Sequence, residues 1–419
     1  MAIAVLSRAL DAQWADPNNS PAIGAPLEPT WLRLKNGAVQ IQFYNGVNAV
    51  IEGPAEVQLL SGSEIFCRSG RVNAEVPPPA RGFTIRTPRL RVVDLGTAFG
   101  IAVSGDREEV HVFKGAVAAH LNSAAPRNMK EGDAVAASGD STLQTIPLNK
   151  AAFLTTAELE RKSNSEQNSA LQTWSNAATK LNADPALVVR FDFERNAPPT
   201  GHTLRNLAVN GTATSDATVV GCENAEGRWP GKGALEFRNV SDRVRVSIPS
   251  EHTSITLMVW VRVDRLENKF NSLFMSDAIE PGAVHWQIRR NGNLHLGIAG
   301  PKTSPAKNLN FDSPGIFTAE TLGRWTQLAM VYDGDKSQIT QYVNGHPVTR
   351  FPLPQSVLLR IEHGELGNWN PGANSTDPSP VRHLSARMDE FALFSRALSE
   401  KEIAGLFTSG NPSAGPKAK

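Results

Sequence analysis

The sequence predicts an all-β protein with two domains, and three observations support this prediction. The chain has 419 residues, which is longer than a single hydrophobic core usually serves. It contains 33 glycines and 28 prolines, and between them apolar residues recur at alternate positions, as in short strands joined by turns. One long stretch has a helical period instead, and it separates two strand-rich regions.

The first domain is predicted to follow an extended lead-in. Residues 1–30 form this lead-in, because the run PNNSPAIGAPLEP is rich in proline and turn-forming residues. Strand alternation then begins near Trp31, and it places Val39, Ile41 and Phe43 on one face of a strand. Turns follow at intervals of roughly ten residues. Residues 31–147 are therefore predicted to form a sandwich or barrel-like unit.

Residues 81–117 carry the most informative motif of this first domain, RGFTIRTPRLRVVDLGTAFGIAVSGDREEVHVFKGAV. The segment resembles the central signature of FecR-type periplasmic regulators, in which runs like GFTIRTP, VVDLGTAFGIAV and EVHVFKG occur in this order. The resemblance continues through GAVQIQFYNGVNAVIEGPAEVQL, and it implies a FecR-like β domain. Within the motif, Asp94 is predicted to accept hydrogen bonds from backbone N–H groups of its own turn.

A helical connector is predicted over residues 148–185. The apolar period there lengthens to about 3.6 residues. Four apolar residues fall on one face at helical spacing: Leu171, Trp174, Ala178 and Leu181. This face should allow the second half of the helix to dock, and the pair Asp184-Pro185 should end the helix.

A second β domain is predicted over residues 186–408. The runs GALEF, SITLMVWVRV, HWQIRRNGNLHLGI, RWTQLAMVYDG and ARMDEFALF resemble, in content and order, the laminin-G-like or concanavalin-like jelly roll. Ser399 and Glu402 have the spacing of a capping box before a short final helix. Residues 409–419 have little to bury, which predicts a disordered tail. The predicted fold is thus a FecR-like β domain joined by a helical connector to a concanavalin-like β-sandwich jelly roll.

Charge and motif content exclude several classes of function. Lys and Arg together number 42 against 41 Asp and Glu, so no basic surface is expected and nucleic acid is not a predicted partner. The two cysteines, Cys67 and Cys222, cannot form a zinc site by themselves. No HExxH motif, nucleophile elbow or phosphate-binding loop is present. The chain is therefore predicted not to be an enzyme.

One pair of acidic residues leaves a hydrolase open as the least favoured alternative. Glycosidases need two carboxylates on either side of the scissile bond, and Asp192 and Glu194 are predicted to share one face of a strand. The pair lies on the first strand of its domain, where a solvated polar face is the ordinary expectation.

The resemblance to laminin-G-like folds also implies a calcium site. In such folds an acidic residue near the final strand helps to bind calcium together with oxygens from an early loop. The corresponding residues here are Asp389 and, in the early loop, Asn206. An ion pair between this acid and an arginine such as Arg387 or Arg396 is an equally open alternative.

A ligand site is predicted in the turn-rich run GELGNWNPGANSTDP. Aromatic rings can stack on the apolar faces of sugars, and Trp369 lies in this run between Asn368 and Asn370. These three residues are the predicted ligand-binding residues, with a structural role for Trp369 as the alternative. Trp260, Trp286 and Trp325 lie within alternating strands and are predicted to be core residues.

The sequence predicts a non-enzymatic envelope sensor or regulator whose jelly roll binds a glycan or a protein ligand. A structural or adhesive envelope protein is the main alternative. The FecR resemblance implies a periplasmic location, an outer-membrane transducer as partner and a sigma-factor pathway as output. No window of about 18 apolar residues is present. Relatives with a stretch like VLSRALDAQW carry a membrane helix directly upstream, so we expect an inner-membrane anchor preceding Met1. The family's cytoplasmic arm is absent here, so this chain alone is not expected to regulate a sigma factor.

Overall fold

The structure is a computed structural model that describes residues 1–16, 20–121, 125–138, 142–194, 202–277, 279–300, 308–354, 356–372 and 376–412, without the side chains of residues 249 and 250. It divides into two compact units, Met1–Glu166 and Gln167–Lys419. The division falls within the first helix.

The first unit is a branched β-sheet of thirteen strands. The strands are β1 (Ala4–Trp14), β2 (Pro26–Leu27), β3 (Trp31–Phe43), β4 (Asn48–Ser61), β5 (Glu64–Glu75), β6 (Thr84–Arg86), β7 (Leu90–Asp94), β8 (Ala98–Ser104), β9 (Arg107–Lys114), β10 (Ala116–Leu121), β11 (Arg127–Lys130), β12 (Ala134–Ser138) and β13 (Leu143–Thr145). Short 3-10 turns lie at Pro78–Ala80 and Lys150–Ala152.

Strand β5 is the branch point of this sheet. Its full length pairs with β4, but its other edge pairs in parallel with β6 near Ile65 and antiparallel with β8 near Val72. One branch continues through β7, β10 and β11, and the other through β9, β12 and β13. Alternate side chains such as Phe83, Phe99 and Val110 fill a common core. The predicted strand alternation of this region is therefore confirmed.

The N-terminal segment is a strand and not the predicted extended lead-in. β1 pairs antiparallel with β3, from Ala4 opposite Phe43 to Trp14 opposite Leu34. Leu6 is 1% exposed, so β1 contributes to the core. The described prolines of the run PNNSPAIGAPLEP follow this strand, and proline therefore does not interrupt it. The prediction is wrong for residues 4–14, and residues 17–19 of the run lie outside the described residues.

Asp94 stabilises the turn after β7, as predicted. Its Oδ2 accepts a hydrogen bond from the Gly96 backbone N–H at 2.7 Å, and its Oδ1 accepts one from the Thr97 hydroxyl. Gly96 has a φ of +105°, a conformation that glycine adopts without a Cβ clash. Burial raises the pKa of Asp94 to about 6, although the hydrogen bonds from Gly96 and Thr97 oppose this rise.

The helical connector is present as α1 (Thr156–Asn182). It begins after Thr155, whose hydroxyl accepts a hydrogen bond from the Glu158 N–H while the Glu158 carboxylate accepts one from the Thr155 N–H. It ends two residues before Asp184, as predicted. Trp174 is buried on its second half. Neither described helix of the chain has the length and apolar character needed to cross a membrane.

The second unit is a sandwich of two eight-stranded sheets. The first sheet contains β14 (Leu187–Phe191), β17 (Glu223–Glu226), β18 (Gly233–Phe237), β20 (Ile255–Arg265), β25 (Trp325–Asp333), β26 (Gln338–Val343), β27 (His346–Pro352) and β29 (Ser385–Phe394). The second contains β15 (Thr203–Leu204), β16 (Ala217–Val220), β19 (Arg243–His252), β21 (Phe270–Ser276), β22 (Val284–Arg289), β23 (Asn293–Ala299), β24 (Asn308–Gly315) and β28 (Leu359–Leu366). A 3-10 turn lies at Ala213–Ser215.

The two sheets enclose one core, as expected for a β-sandwich. Phe274 of the second sheet stacks on Phe391 of the first with ring centroids 5.4 Å apart. Trp286 lies in this core, as predicted. Trp260 is also buried, but it stacks on Phe407 of the final helix at 5.8 Å. Trp325 is only half-buried.

The final helix, α2 (Glu400–Gly410), begins with the predicted capping box. The Ser399 hydroxyl accepts a hydrogen bond from the Glu402 N–H, and the Glu402 carboxylate accepts one from the Ser399 N–H. The helix continues to Gly410, which is buried and accepts a hydrogen bond from Arg228. The predicted disordered tail is therefore wrong for residues 409–410, and residues 413–419 lie outside the described residues.

Candidate functional site

A polar face on the second sheet forms the candidate ligand site. Alternation in β22 and β23 sends six side chains into the core: Val284, Trp286, Ile288, Leu294, Leu296 and Ile298. The residues between them face the opposite side of the sheet. They include His285, Gln287, Arg289 and His295. The sheet therefore presents hydrogen-bonding side chains on its outer face.

A pocket of about 200 Å³ lies on this outer face. We call it the outer-face pocket. Its lining includes one aromatic side chain and several polar ones: Phe270, His285, Gln287, Asn308, Asn310 and Arg382. Asn308 and Asn310 are exposed, and Phe270 is half-buried. The lining thus combines an apolar ring with amide donors and acceptors.

The cations of the outer-face pocket are neutralised within the fold. Arg382 Nη2 lies 2.6 Å from Asp377 Oδ2, and Arg382 Nη1 donates to Gln287 Oε1 at 3.1 Å. Arg289 does not line the pocket but lies next to His295, and its Nη2 is 2.9 Å from Asp312 Oδ2. Burial lowers the pKa of His295, which favours its neutral form at pH 7. These pairings suit a neutral polar ligand better than a strongly charged one.

Trp369 lies beside this pocket but does not expose its ring. Its side chain is 2% exposed, and its indole N–H donates to the Ser276 carbonyl at 3.2 Å. The Arg382 guanidinium lies 4.1 Å from the ring centroid, and the His285 ring meets the indole edge-on at 5.4 Å. Trp369 thus supports two pocket residues, and the prediction that its ring meets a ligand is wrong.

The two neighbouring asparagines also have structural partners. Asn368 is 3% exposed, and its Nδ2 donates to the Val240 carbonyl at 2.7 Å. Asn370 is half-buried, and its Nδ2 donates to Asp277 Oδ2 at 3.3 Å. Neither asparagine lines the outer-face pocket. Ligand contact by Asn370 stays a prediction, and residues 373–375 of the same run lie outside the described residues.

A second notable site is a group of six charged residues, of which all but the partly exposed Glu194 are buried, and we call it the charge cluster: Arg190, Glu194, Arg228, Lys232, Asp389 and Glu390. Asp389 and Glu390 are neighbours on β29. A register shift between β20 and β29 pairs Trp260 with Glu390 and Val261 with Met388, leaving Asp389 in a bulge. Such a bulge turns adjacent side chains towards one side.

Arg228 is the central cation of the charge cluster. Its Nη2 lies 2.8 Å from both Asp389 Oδ1 and Glu390 Oε2. Glu390 also accepts hydrogen bonds from Arg190, at 2.6 Å from its Nη2, and from the Trp174 indole at 3.0 Å. Burial alone would raise the pKa of Glu390, but Arg190 and Arg228 overcome it and lower the pKa to about 2. Glu390 is therefore ionised at neutral pH.

The two residues predicted for calcium do not fit that ion. The Asp389 carboxylate is ion-paired with Arg228 and with Lys232. The Asn206 Oδ1 accepts hydrogen bonds from the Arg190 and Ala208 N–H groups. No group of three or more His, Cys, Asp or Glu residues in the described part of the chain is placed for metal binding.

The alternative prediction, an ion pair between Asp389 and an arginine, agrees better with the structure. The arginine that pairs with Asp389 is not one of the two named as examples. The partner is Arg228, which is distant in sequence and gave no local signal. Arg387 pairs instead with Glu236 at 3.0 Å, and Arg396 with Asp184 at 2.9 Å.

Asp192 and Glu194 do not form the predicted pair on a strand face. β14 ends at Phe191, and Phe193 has a φ of +52°, which lies in the left-handed region and breaks the alternation of a regular strand. Glu194 Oε1 lies 3.2 Å from Lys232 Nζ. The two acidic residues border a groove of about 520 Å³ against the second half of α1, but the carboxylate of Glu194 is engaged in an ion pair.

Comparison with known families gives two matches along the chain. Residues 30–118 match the family described as FecR protein. Residues 238–404 match the concanavalin A-like lectin/glucanases superfamily. Both resemblances predicted from the sequence are thereby confirmed, in the predicted order.

Similar solved structures include three binding domains of toxins. These are the binding domain of Paraclostridial Mosquitocidal Protein 1 (17% identity, TM-score 0.41), the binding domain of botulinum neurotoxin DC in complex with SialylT (14%, 0.41) and the botulinum neurotoxin serotype G binding domain (12%, 0.39). The first two comparisons cover 54% of this chain and 52% of the other, and the third covers 53% and 50%. The chain thus spans about half the length of these proteins. No curated protein matches it.

Proposed function

Because the chain carries a FecR domain followed by a concanavalin A-like lectin/glucanase domain, we propose that it is a non-enzymatic sensor or regulator of the bacterial envelope that binds carbohydrate. The FecR family supports the envelope location and a part in signal transduction. The outer-face pocket is the observation that supports carbohydrate binding. An outer-membrane transducer and a sigma-factor pathway are the partners that the FecR family suggests.

The shape and chemistry of the outer-face pocket favour a small part of a neutral glycan. Its volume of about 200 Å³ is below the roughly 300–1,000 Å³ of pockets that enclose a drug-sized ligand. One sugar ring at the end of a chain is therefore a better ligand than a long internal segment. Phe270 would contact the apolar face of that ring, while Asn308 and Asn310 would bond its hydroxyl groups.

A glycan array with the full chain tests this proposal. We expect wild-type protein to bind a subset of neutral glycans. The double variant Asn308→Ala, Asn310→Ala should weaken binding by about tenfold, because each lost hydrogen bond contributes roughly 0.5–1.5 kcal/mol. Asn224→Ala is the matched control, since Asn224 is exposed on β17 of the other sheet.

Two outcomes would favour the alternatives. A folded wild-type chain that binds no glycan at all would overturn the carbohydrate proposal and favour a structural or adhesive role. Release of reducing ends from a polysaccharide, lost in the double variant Asp192→Ala, Glu194→Ala, would identify a glycoside hydrolase. The Lys232 ion pair of Glu194 argues against that second outcome.

A further inference from the structure

Five oxygen atoms surround the ammonium group of Lys232, and we call them the oxygen cage. Three are backbone carbonyls: Asp192 O at 2.6 Å, Gly233 O at 3.0 Å and Asp389 O at 3.2 Å. Two are carboxylate oxygens: Asp389 Oδ1 at 3.1 Å and Glu194 Oε1 at 3.2 Å. The Trp174 ring centroid lies 4.6 Å from Lys232 Nζ. The Lys232 side chain is 0% exposed.

The oxygen cage contains more oxygens than an ammonium group can bond, and they are of the kinds that bind metal ions. An ammonium has three N–H donors, yet five oxygens lie within 3.2 Å of it. Backbone carbonyls combined with carboxylates are also the ligands that calcium prefers, at about 2.3–2.6 Å. The observed distances of 2.6–3.2 Å are longer, and they match hydrogen bonds to nitrogen.

We propose that the oxygen cage is a cation site that the chain fills with its own lysine, so that this jelly roll folds without calcium. The chemistry of the cage is that of a divalent-metal site, and Lys232 takes the position of the ion. This explains why Asp389 does not fit the calcium role that the fold family implies. It also makes Lys232, which lies far from Asp389 in sequence, the residue that determines metal independence.

The charges around the cage support this assignment. The charge cluster contains three cations, Arg190, Arg228 and Lys232, and three carboxylates, those of Glu194, Asp389 and Glu390. The formal charges of the cluster therefore sum to zero. A buried site is destabilised less by paired charges than by an unpaired one. An added calcium ion would leave an excess of two positive charges unless Lys232 were displaced.

The wall of the cage is tight, so its oxygens should keep their positions when Lys232 is shortened. A Cβ on Gly227 would lie 2.3 Å from Asp389 Oδ2 and 2.8 Å from the Gly233 carbonyl. The Asp389 carboxylate is also bonded to the Arg228 backbone N–H at 2.6 Å. Lys232→Ala should therefore leave five oriented oxygens around the space of the lost ammonium group, and one uncompensated negative charge in the charge cluster. A calcium ion can bind to these oxygens, and water can fill its remaining coordination positions.

Metal binding to the full chain tests the proposal directly. We expect Lys232→Ala to bind terbium, a luminescent calcium analogue, with emission excited through the adjacent Trp174 and displaced by calcium. Wild type should give no such emission. The control is Lys336→Ala, because Lys336 is exposed and pairs with Asp333 on the surface. Terbium emission from wild type that disappears in Trp174→Phe would overturn the proposal.

Thermal unfolding supplies the second measurement. Lys232→Ala should unfold at a lower temperature than wild type in chelator, and calcium should raise that temperature in the variant alone. Calcium at 100 times its dissociation constant should increase the variant's folding equilibrium constant by about 100-fold. A folded variant without any calcium response would contradict the proposal, and so would a variant that fails to fold with calcium and without it.

Discussion

Arg228→Met tests whether the charge cluster stabilises the second unit. The substitution keeps most of the apolar side-chain volume but removes the guanidinium. Arg228 donates hydrogen bonds to Asp389, to Glu390 and to the Gly410 carbonyl, at 2.8–2.9 Å. Its side chain is 0% exposed, so water cannot replace these contacts.

The expected loss is about 3–5 kcal/mol of unfolding free energy, which is usual when one partner of a buried ion pair is removed. Two observations adjust this range. Arg190 still pairs with Glu390 and Lys232 with Asp389, which moves the loss towards the lower end. The Arg228 guanidinium also lies 4.4 Å from the Trp260 ring centroid and 4.8 Å from that of Trp229. Losing these cation–π contacts increases the expected loss of unfolding free energy.

The pKa of Glu390 indicates how strongly Arg190, Arg228 and the other groups around it together favour its ionised form. A pKa of about 2 in place of 4.5 corresponds to about 3 kcal/mol in favour of the ionised carboxylate. Because the folded-state pKa is depressed, this stabilisation is present above about pH 4.5 and is lost as the pH falls towards 2. Arg228→Met should therefore also flatten the loss of stability in this acidic range.

Urea unfolding of the full chain at pH 7, followed by tryptophan fluorescence, measures the effect. Two units can unfold in two transitions, and five of the eight tryptophans lie between residues 229 and 369. The control is Arg350→Met, because Arg350 and Glu400 form an exposed pair expected to contribute less than about 1 kcal/mol. Equal losses in the two variants would refute the reasoning.

Three further predictions concern other parts of the chain. Leu6→Ala should cost about 2–5 kcal/mol in urea unfolding, because β1 is a core strand; no loss would restore the lead-in interpretation. The raised pKa of Asp94 predicts that the unfolding free energy of wild type falls by up to about 3 kcal/mol as the pH rises from about 4 to 6. Asp94→Asn should lack that loss in thermal unfolding, and parallel pH profiles would contradict the assignment. Trp369→Ala should destabilise the second unit by about 3–5 kcal/mol; full stability with altered glycan affinity would restore a direct ligand role.

The features that the sequence predicts correctly are those with a local sequence signal. Period-two alternation predicted the strands around Ile41 and Ile101, helical spacing predicted the docking of Trp174, and the Ser399 and Glu402 pair predicted the start of α2. Each of these depends on residues within one element, so its pattern is visible in a short window.

The charge cluster could not be predicted in this way. The sequence indicates Asp389 as a calcium ligand or an ion-pair partner, but its partners Arg228 and Lys232 lie about 160 residues earlier in the chain. The bulge at Asp389, which turns it towards the same side as Glu390, depends on the pairing of β29 with β20.

The outer-face pocket could be predicted only in part. The run HWQIRR shows His285 and Gln287 alternating with core residues, but Arg382 reaches them only through the tertiary fold.

The positions of the two sites constrain how ligand binding could influence the rest of the second unit. The charge cluster lies on the first sheet, where Trp174 of α1 and Gly410 of α2 contact it. The outer-face pocket lies on the far side of the second sheet, with the sandwich core between them. A ligand in the pocket therefore contacts neither helix, and any influence on α1 must act through the stability of the sandwich. Substitutions at Asn308 and Asn310 should consequently weaken glycan binding without loosening Trp174, which makes ligand binding and helix docking separable by mutation.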